Sequence, residues 1–274
     1  MQAQRRRVVS CLSAPALRVL SLGAGVQSTT LALMAASGEI ERPDCAMFAD
    51  TGWEPRAVYE HLARLEAALP FPVHRVSAGN LRADILASAE SGRRVAAPPW
   101  FLSGRGMMPR QCTADYKIAP LARKQRELLG VGPRSRVAPG TVEVWIGISR
   151  DEAVRMRPAR SAWQRNCWPL IELGLSRADC LAWLARAGWN APKSACIGCP
   201  YHSDEAWRKL RETDEWADAV EIDRALRGGM TKGMRADKYM HRSLVPLDEV
   251  DLSTPSDHGQ TELWGDECDG ICGV

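Results

Sequence analysis

An α/β fold built on a parallel sheet is what this chain's pattern predicts, on three observations. Short apolar runs alternate with amphipathic stretches through the first half, the spacing suits strands joined by crossover helices, and the first run enters a helix through a small glycine-containing turn, "SLGAGVQSTTLALMA" at 21–35. Such alternation places helices on both faces of a Rossmann-like parallel sheet. The 274 residues are enough to bury a sizeable core. The expected division is a flexible arm at 1–15, an α/β domain at 16–175, and a helical C-terminal region at 176–274 that carries a C-x-x-C and an acidic, cysteine-containing tail.

The elements follow in order. "LRVLSLG" is the first strand, and "STTLALMAAS" a helix closed by Gly38, a C-terminal cap signal. "DCAMFAD" is the second strand; the helix after it, "EPRAVYEHLARLEAAL", sets Val58, Leu62, Leu65 and Leu69 on one face before Pro70 and Pro72 end it. "PVHRVSA" is a third strand and "LRADILASAES" a short helix. Residues 92–111 lack periodicity and are rich in Gly, Pro and Arg, the composition of a functional lid. "ADYKIAPLARKQRELL" is a helix with a first turn made irregular by Pro120, and "TVEVWIGIS" is a strand. A helix capped by Ser176 follows, then "CIGCPYHS", then one long helix, "DEAWRKLRETDEWADAVEIDRAL". Trp183, Trp207 and Trp216 have the helical spacing of core residues, whereas Trp53 and Trp100 are placed to contact a ligand.

Charge is uneven. Of 33 acidic residues, 8 lie in 243–274, which has no Lys or Arg, so the 36 basic residues of 1–242 face 25 acids. A basic body suits anionic ligands, nucleic acid included, though an acidic tail folded on a basic body explains the same numbers. The apolar stretches fall short of the roughly 18 residues a bilayer span needs, so no membrane partner is expected. Pro15 and Arg18 interrupt the apolar run after the N-terminal arginines, which sets a signal peptide aside and leaves a cytoplasmic protein as the expectation. Nine cysteines with one close C-x-x-C do not form a secreted disulfide framework, and they point to metal or redox chemistry.

A Gly-rich turn from strand to helix exposes backbone N–H groups at the positive end of a helix dipole, where phosphate oxygens fit. It is neither a Walker A loop nor G-x-G-x-x-G. Gly23, Ala24, Gly25, Val26, Gln27 and Ser28 instead resemble the PP-loop of ATP pyrophosphatases, usually S-G-G-x-D-S, with Gly25 and Ser28 matching directly. Gln27 in place of Asp is similar to the form found in phosphoadenosine phosphosulfate (PAPS) reductases. "FADTGWEP" resembles that family's "DTG" element, and "WIGISRDEAVRMRPAR" its glycine, arginine and glutamate element. The chain thus resembles the PAPS reductase-like members of the adenine-nucleotide α-hydrolase superfamily over about residues 18–200, with a HUP-type sheet implied.

The resemblance implies a nucleotide site of Ser21, Gly23, Ala24, Gly25, Val26, Gln27, Ser28, Thr29, Asp50, Thr51, Gly52, Arg150, Arg155 and Arg157, with Asp50, Arg150 and Cys268 as catalytic candidates. The arginines are planar donors suited to phosphate or sulfate. Related sulfur-handling enzymes often carry a [4Fe-4S] cluster on a lone Cys plus C-x-x-C; that implies Cys112, Cys196 and Cys199, with Cys272 as the fourth ligand. Zinc and metal-free redox thiols remain alternatives, since thiolates alone do not separate them. Cys11, Cys45, Cys167 and Cys180 read as small buried residues. The implied cofactor is ATP, with Mg²⁺ as its companion, or PAPS or adenosine phosphosulfate (APS) as substrate. The leading function is adenylation of a substrate oxygen followed by sulfur transfer, with a small molecule or a tRNA or DNA base as acceptor. The alternatives are a PAPS/APS reductase releasing sulfite, toward which Glu267-Cys268 points, and a non-catalytic nucleotide or nucleic-acid binding module. The sulfur donor or reductant is unspecified, and the assembly is left open, a homodimer included.

Overall fold

The computed structural model describes residues 14–92, 98–104, 106–228, 236–253 and 257. The first half comprises β1 (Leu17–Ser21), α1 (Val26–Ser37), β2 (Cys45–Asp50), α2 (Arg56–Ala68), β3 (Val73–Ser77) and α3 (Leu81–Ser91). Two short strands follow, β4 (Phe101–Leu102) and β5 (Gly106–Met107), then a π-helical turn at Thr113–Ile118 that runs into α4 (Ala119–Leu128). β6 (Val142–Ile146), a 3-10 helix (Arg150–Arg155), β7 (Gln164–Cys167), α5 (Pro169–Glu172) and α6 (Arg177–Arg186) come next. α7 (Asp204–Arg211), α8 (Trp216–Gly228) and β8 (Lys238–Tyr239) complete the chain order.

The main sheet has the order β3-β2-β1-β6-β7, and every pair in it is parallel. β1 sits in the centre, with Val19 beside Cys45 of β2 on one edge and Val144 of β6 on the other. The chain builds outward from β1 to β3, then crosses back to β6. That reversal makes the β1–β6 boundary the switch point, where the carboxyl ends of the strands leave a crevice.

Alternation along the strands decides which residues meet which layer. Leu20, Ala46, Phe48 and Trp145 pack with α1, α2 and α6, whose Leu31, Leu62 and Leu184 are buried in the same cluster. Leu17, Val19, Cys45, Met47, Val142, Val144 and Ile146 face the other way, toward Leu121 and Leu129 around α4. Truncating a fully buried leucine such as Leu20 or Leu31 to Ala costs about 2–5 kcal/mol. At the lower end of the sheet the buried Glu143 accepts hydrogen bonds from Arg18 Nε (2.9 Å), Trp145 Nε1 (2.8 Å) and Arg165 Nη2 (2.6 Å). Burial alone would lift its carboxyl, but these three donors hold it below the ordinary value.

A second core gathers Leu81 and Ile85 of α3, Trp207 of α7, Ile222 of α8, and Met240 and Leu247. Asp223, fully buried, anchors the segment after α8 by accepting the amides of Met240 (3.0 Å) and Leu247 (2.8 Å). Because α6 packs with α1 and α8 packs with α3, the region beyond 176 is built onto the sheet layers. No helix of the described residues is long and apolar enough to cross a membrane.

Two sequence expectations need correction, and one strand went unread. The long helix expected after "CIGCPYHS" is two helices, interrupted where Thr213 Oγ1 donates to the carbonyl of Leu210 (2.8 Å) and the chain turns before Trp216. The segment expected to be a structureless lid contains β4 and β5, antiparallel to one another, with β8 paired on β4; residues 93–97 and 105 of it lie outside the described residues. β7, "QRNC", has no apolar run to reveal it; it pairs with β6 in parallel register and through Arg165, whose Nη2 donates to Glu143 Oε2.

Candidate active site

Gly25, with extended backbone, stands just before α1, which has no side-chain cap and no acidic residue in its first turn. Thr29 is hydrogen-bonded through its N–H to the Gly25 carbonyl (2.9 Å), while the amides before it in the first turn have no intrahelical acceptor. The turn that presents them passes through Ala24 at φ +56°, a left-handed conformation that glycine adopts more readily; Ala24 is fully buried, and the strain costs roughly 1–2 kcal/mol. Donors and helix dipole therefore converge without an internal counter-charge.

These groups open into a cleft at the carboxyl ends of β1, β2 and β6. Ser21, Gly23, Gly25, Val26, Gln27 and Ser28 line one wall, and Ala49, Ile146 and Gly147 lie along the strand ends. Four cationic side chains among the described residues line it too: Lys117 from the π-helical turn, Arg155 from the 3-10 helix, Arg177 from the start of α6, and Lys193. Glu54 is the sole carboxylate among the described lining residues. The balance is that of an anion site.

Gln27 ties the arginines to the loop. Its Nε2 donates to Glu152 Oε2 (3.0 Å), its Oε1 accepts from Arg177 Nη1 (3.2 Å), and Glu152 Oε2 pairs with Arg155 Nη1 (2.7 Å). Burial raises the Glu152 carboxyl against the opposing pull of Arg155. Glu152 thus holds Arg155, and Gln27 links both Glu152 and Arg177 to the first turn of α1.

The other expected residues are placed elsewhere. Asp50 ends β2, but it does not line the cleft: its Oδ1 accepts the Gly52 amide (2.8 Å) and the Tyr59 hydroxyl (2.7 Å). Thr51 is buried and donates to Glu54 Oε1 (3.0 Å). Thr29 is buried against His61, 2.9 Å from Nε2. Arg150 and Arg157 are exposed and outside the cleft lining, and Arg157 Nη1 donates to the carbonyls of Val154 and Met156 at the end of its own turn. Of the three expected arginines, the structure brings Arg155 alone to the loop. Sequence reasoning missed Glu54, Lys117, Arg177 and Lys193, which come from four separate segments that only the fold brings together.

Cys196 and Cys199 share a tight turn, with the Cys199 amide on the Cys196 carbonyl (3.1 Å), and both are buried. The glycine between them has a packing reason. A Cβ on Gly198 would stand 1.9 Å from the Trp53 ring, and the Ile197 amide donates to the Trp53 carbonyl (3.0 Å). Trp53 and Trp100 are accordingly core residues, 2% and 3% exposed, which corrects the expectation that they contact a ligand; Trp207 is fully buried and Trp183 and Trp216 pack at core margins, as expected. Cys45 and Cys180 are buried, and Cys167 is half-buried. Among the described residues no three of His, Cys, Asp and Glu come together as a group able to hold a metal ion. Cys11, Cys268 and Cys272 lie outside the described residues.

No protein-family model matches the chain, and no curated protein sequence matches it. Among solved structures it is similar to phosphoadenylyl-sulfate (PAPS) reductase from Candida auris, solved as a phosphate complex: TM-score 0.44, 15% identity, with 65% of this chain and 76% of that chain covered.

Proposed function

We propose that the cleft binds an adenine nucleotide by its phosphates and that the protein is an adenylating enzyme of the PP-loop type. The observation that carries this reading is the meeting of the uncapped N-terminus of α1 with Arg155, Arg177, Lys193 and Lys117 at the switch point of a parallel sheet. Phosphates at such a site are held by fixed donors and permanent charge, and those donors count most where negative charge develops.

In the proposed reaction, a substrate oxygen attacks the α-phosphorus of ATP. The new oxygen–phosphorus bond forms as the bond from that phosphorus to the bridging oxygen of the β-phosphate breaks, and pyrophosphate leaves with the electron pair. The α1 amides hold the departing diphosphate, and Arg155, Arg177 and Lys193 offset its growing charge. The adenylated oxygen is then a good leaving group. A sulfur nucleophile displaces AMP and leaves sulfur on the carbon that bore the oxygen. Mg²⁺ bound to the triphosphate would neutralise part of its charge; Glu54 is the single carboxylate that lines the cleft among the described residues. The tail cysteines and the C-x-x-C turn enter no step of this chemistry.

Incubating the purified protein with ATP and with PAPS in parallel tests the reading. Pyrophosphate release from ATP, stimulated by an extract of small RNA or metabolites, is the expected result. Sulfite release from PAPS without pyrophosphate release from ATP would replace it with the reductase reading.

A further inference from the structure

Glu54 is out of place in an anion site. It is 4% exposed, it lines a cleft otherwise furnished with cations, and it stands four residues past the end of β2. Its Oε1 is occupied by the Thr51 hydroxyl (3.0 Å) and by Lys117 Nζ at 3.4 Å. Its Oε2 is buried without a hydrogen-bond partner. An unsatisfied buried carboxylate oxygen is expensive, and the expense is removed when a ligand brings a donor to it. A phosphate brings none. The donor belongs to a neutral, hydroxyl-bearing or amine-bearing part of the same ligand.

Given the nucleotide reading of the cleft, we propose that Glu54 accepts a hydrogen bond from the ribose hydroxyls and thereby selects a nucleotide whose ribose carries no phosphate. The placement favours ribose over base. In nucleotide-binding parallel sheets, phosphates rest on the Gly-rich turn after the first strand while an acidic side chain near the end of the second takes the ribose hydroxyls. Gly25 lies in the turn after β1 and Glu54 in the loop after β2, and those two strands are adjacent in this sheet. A phosphate ester on the ribose would bring a second anion to an acceptor-only oxygen whose neighbouring cation, Lys117, already faces the other oxygen. Glu54 thus favours ATP or APS over 3′-phosphorylated nucleotides such as PAPS.

Calorimetric titration tests this with ATP, 2′-deoxyATP, 3′-deoxyATP, AMP and adenosine 3′,5′-bisphosphate, with pyrophosphate as the control. In the native protein at least one deoxy analogue is expected to bind about tenfold or more weakly than ATP, as for loss of a hydrogen bond to a charged group. AMP is expected to bind more tightly than the bisphosphate. Glu54→Ala is expected to erase both preferences, and Glu54→Gln to weaken the second. Deoxy analogues that bind the native protein as tightly as ATP would overturn the inference without any variant, and leave the phosphate site standing if pyrophosphate still binds. A Glu54 effect seen only with Mg²⁺ present would also overturn it, assigning the carboxylate to the metal. Failure of pyrophosphate to bind the native protein would remove the nucleotide reading itself.

Discussion

Gly147 lies so close beneath the first turn of α1 that a Cβ there would stand 2.8 Å from the backbone nitrogen of Ser28 and 3.1 Å from the carbonyl carbon of Gln27. The neighbour is backbone, which cannot swing aside as a side chain can. At Gly25 the added Cβ would meet Ser194 Oγ at 2.6 Å, a flexible tip that can rotate away. Gly147, just past the end of β6, therefore sets the position of the loop before α1 relative to the switch point.

Gly147→Ala is accordingly expected to push the loop out of register, at about 1–3 kcal/mol of overpacking cost. Pyrophosphate and ATP binding are expected to be lost while circular dichroism still reports a folded chain. Binding equal to the native protein would show that the loop does not depend on this contact.

The arginines separate by position. Arg155→Gln and Arg177→Gln are each expected to weaken ATP binding about tenfold or more, because each removes a charged fork donor from the cleft. Arg150→Gln and Arg157→Gln are expected to leave it within about twofold, as for charges on a solvated face. Calorimetry on the four variants measures the contrast, and equal losses in all four would mean that the 3-10 helix rearranges around the ligand.

Asp50→Ala is expected to lower stability rather than block phosphate binding. It leaves the Tyr59 hydroxyl, whose proton burial and the Asp50 hydrogen bond both retain, without its acceptor. The cost is about 1–3 kcal/mol. A fall in melting temperature with unchanged pyrophosphate binding is the expected pair of results. Lost binding at unchanged melting temperature would put Asp50 in direct contact with the ligand.

How much of this was legible in the sequence differs by element. β1, β2, β6 and their loops were readable because apolar alternation and a Gly-rich turn are local signals, and Gly38 and Ser176 marked their helix ends. β7 was not, since "QRNC" is half-buried at every position and has no apolar alternation, and the Glu143 that its Arg165 meets lies more than twenty positions earlier. The loop half of the cleft was legible for the same local reason. The cationic half was not: Lys117, Arg177 and Lys193 lie far apart in the chain, and nothing in their own neighbourhoods distinguishes them from surface bases. Trp53 misled because its ring is covered by Gly198, a contact between segments some 145 positions apart.

His61 gives a pH dependence. Burial, and then the nearby Arg64, push its imidazole down to about 4 from the ordinary 6.5, so it stays neutral in the fold beside Thr29. Below pH 6.5 the unfolded chain takes a proton that the folded one refuses. Stability is therefore fully present above 6.5 and declines as pH falls toward 4, by a total on the order of 3 kcal/mol. Urea unfolding between pH 4 and pH 7 measures the slope, which His61→Gln is expected to reduce; an unchanged slope would assign the acid sensitivity to other groups.

The most direct measurement is a titration of the purified protein with ATP, followed by competition with pyrophosphate. Saturable binding of one ATP per chain, displaced by pyrophosphate and absent in Gly147→Ala, is the predicted result. No saturable ATP binding by the native protein, or ATP binding that pyrophosphate does not displace, would contradict a nucleotide site built on the α1 amides and their ring of cations.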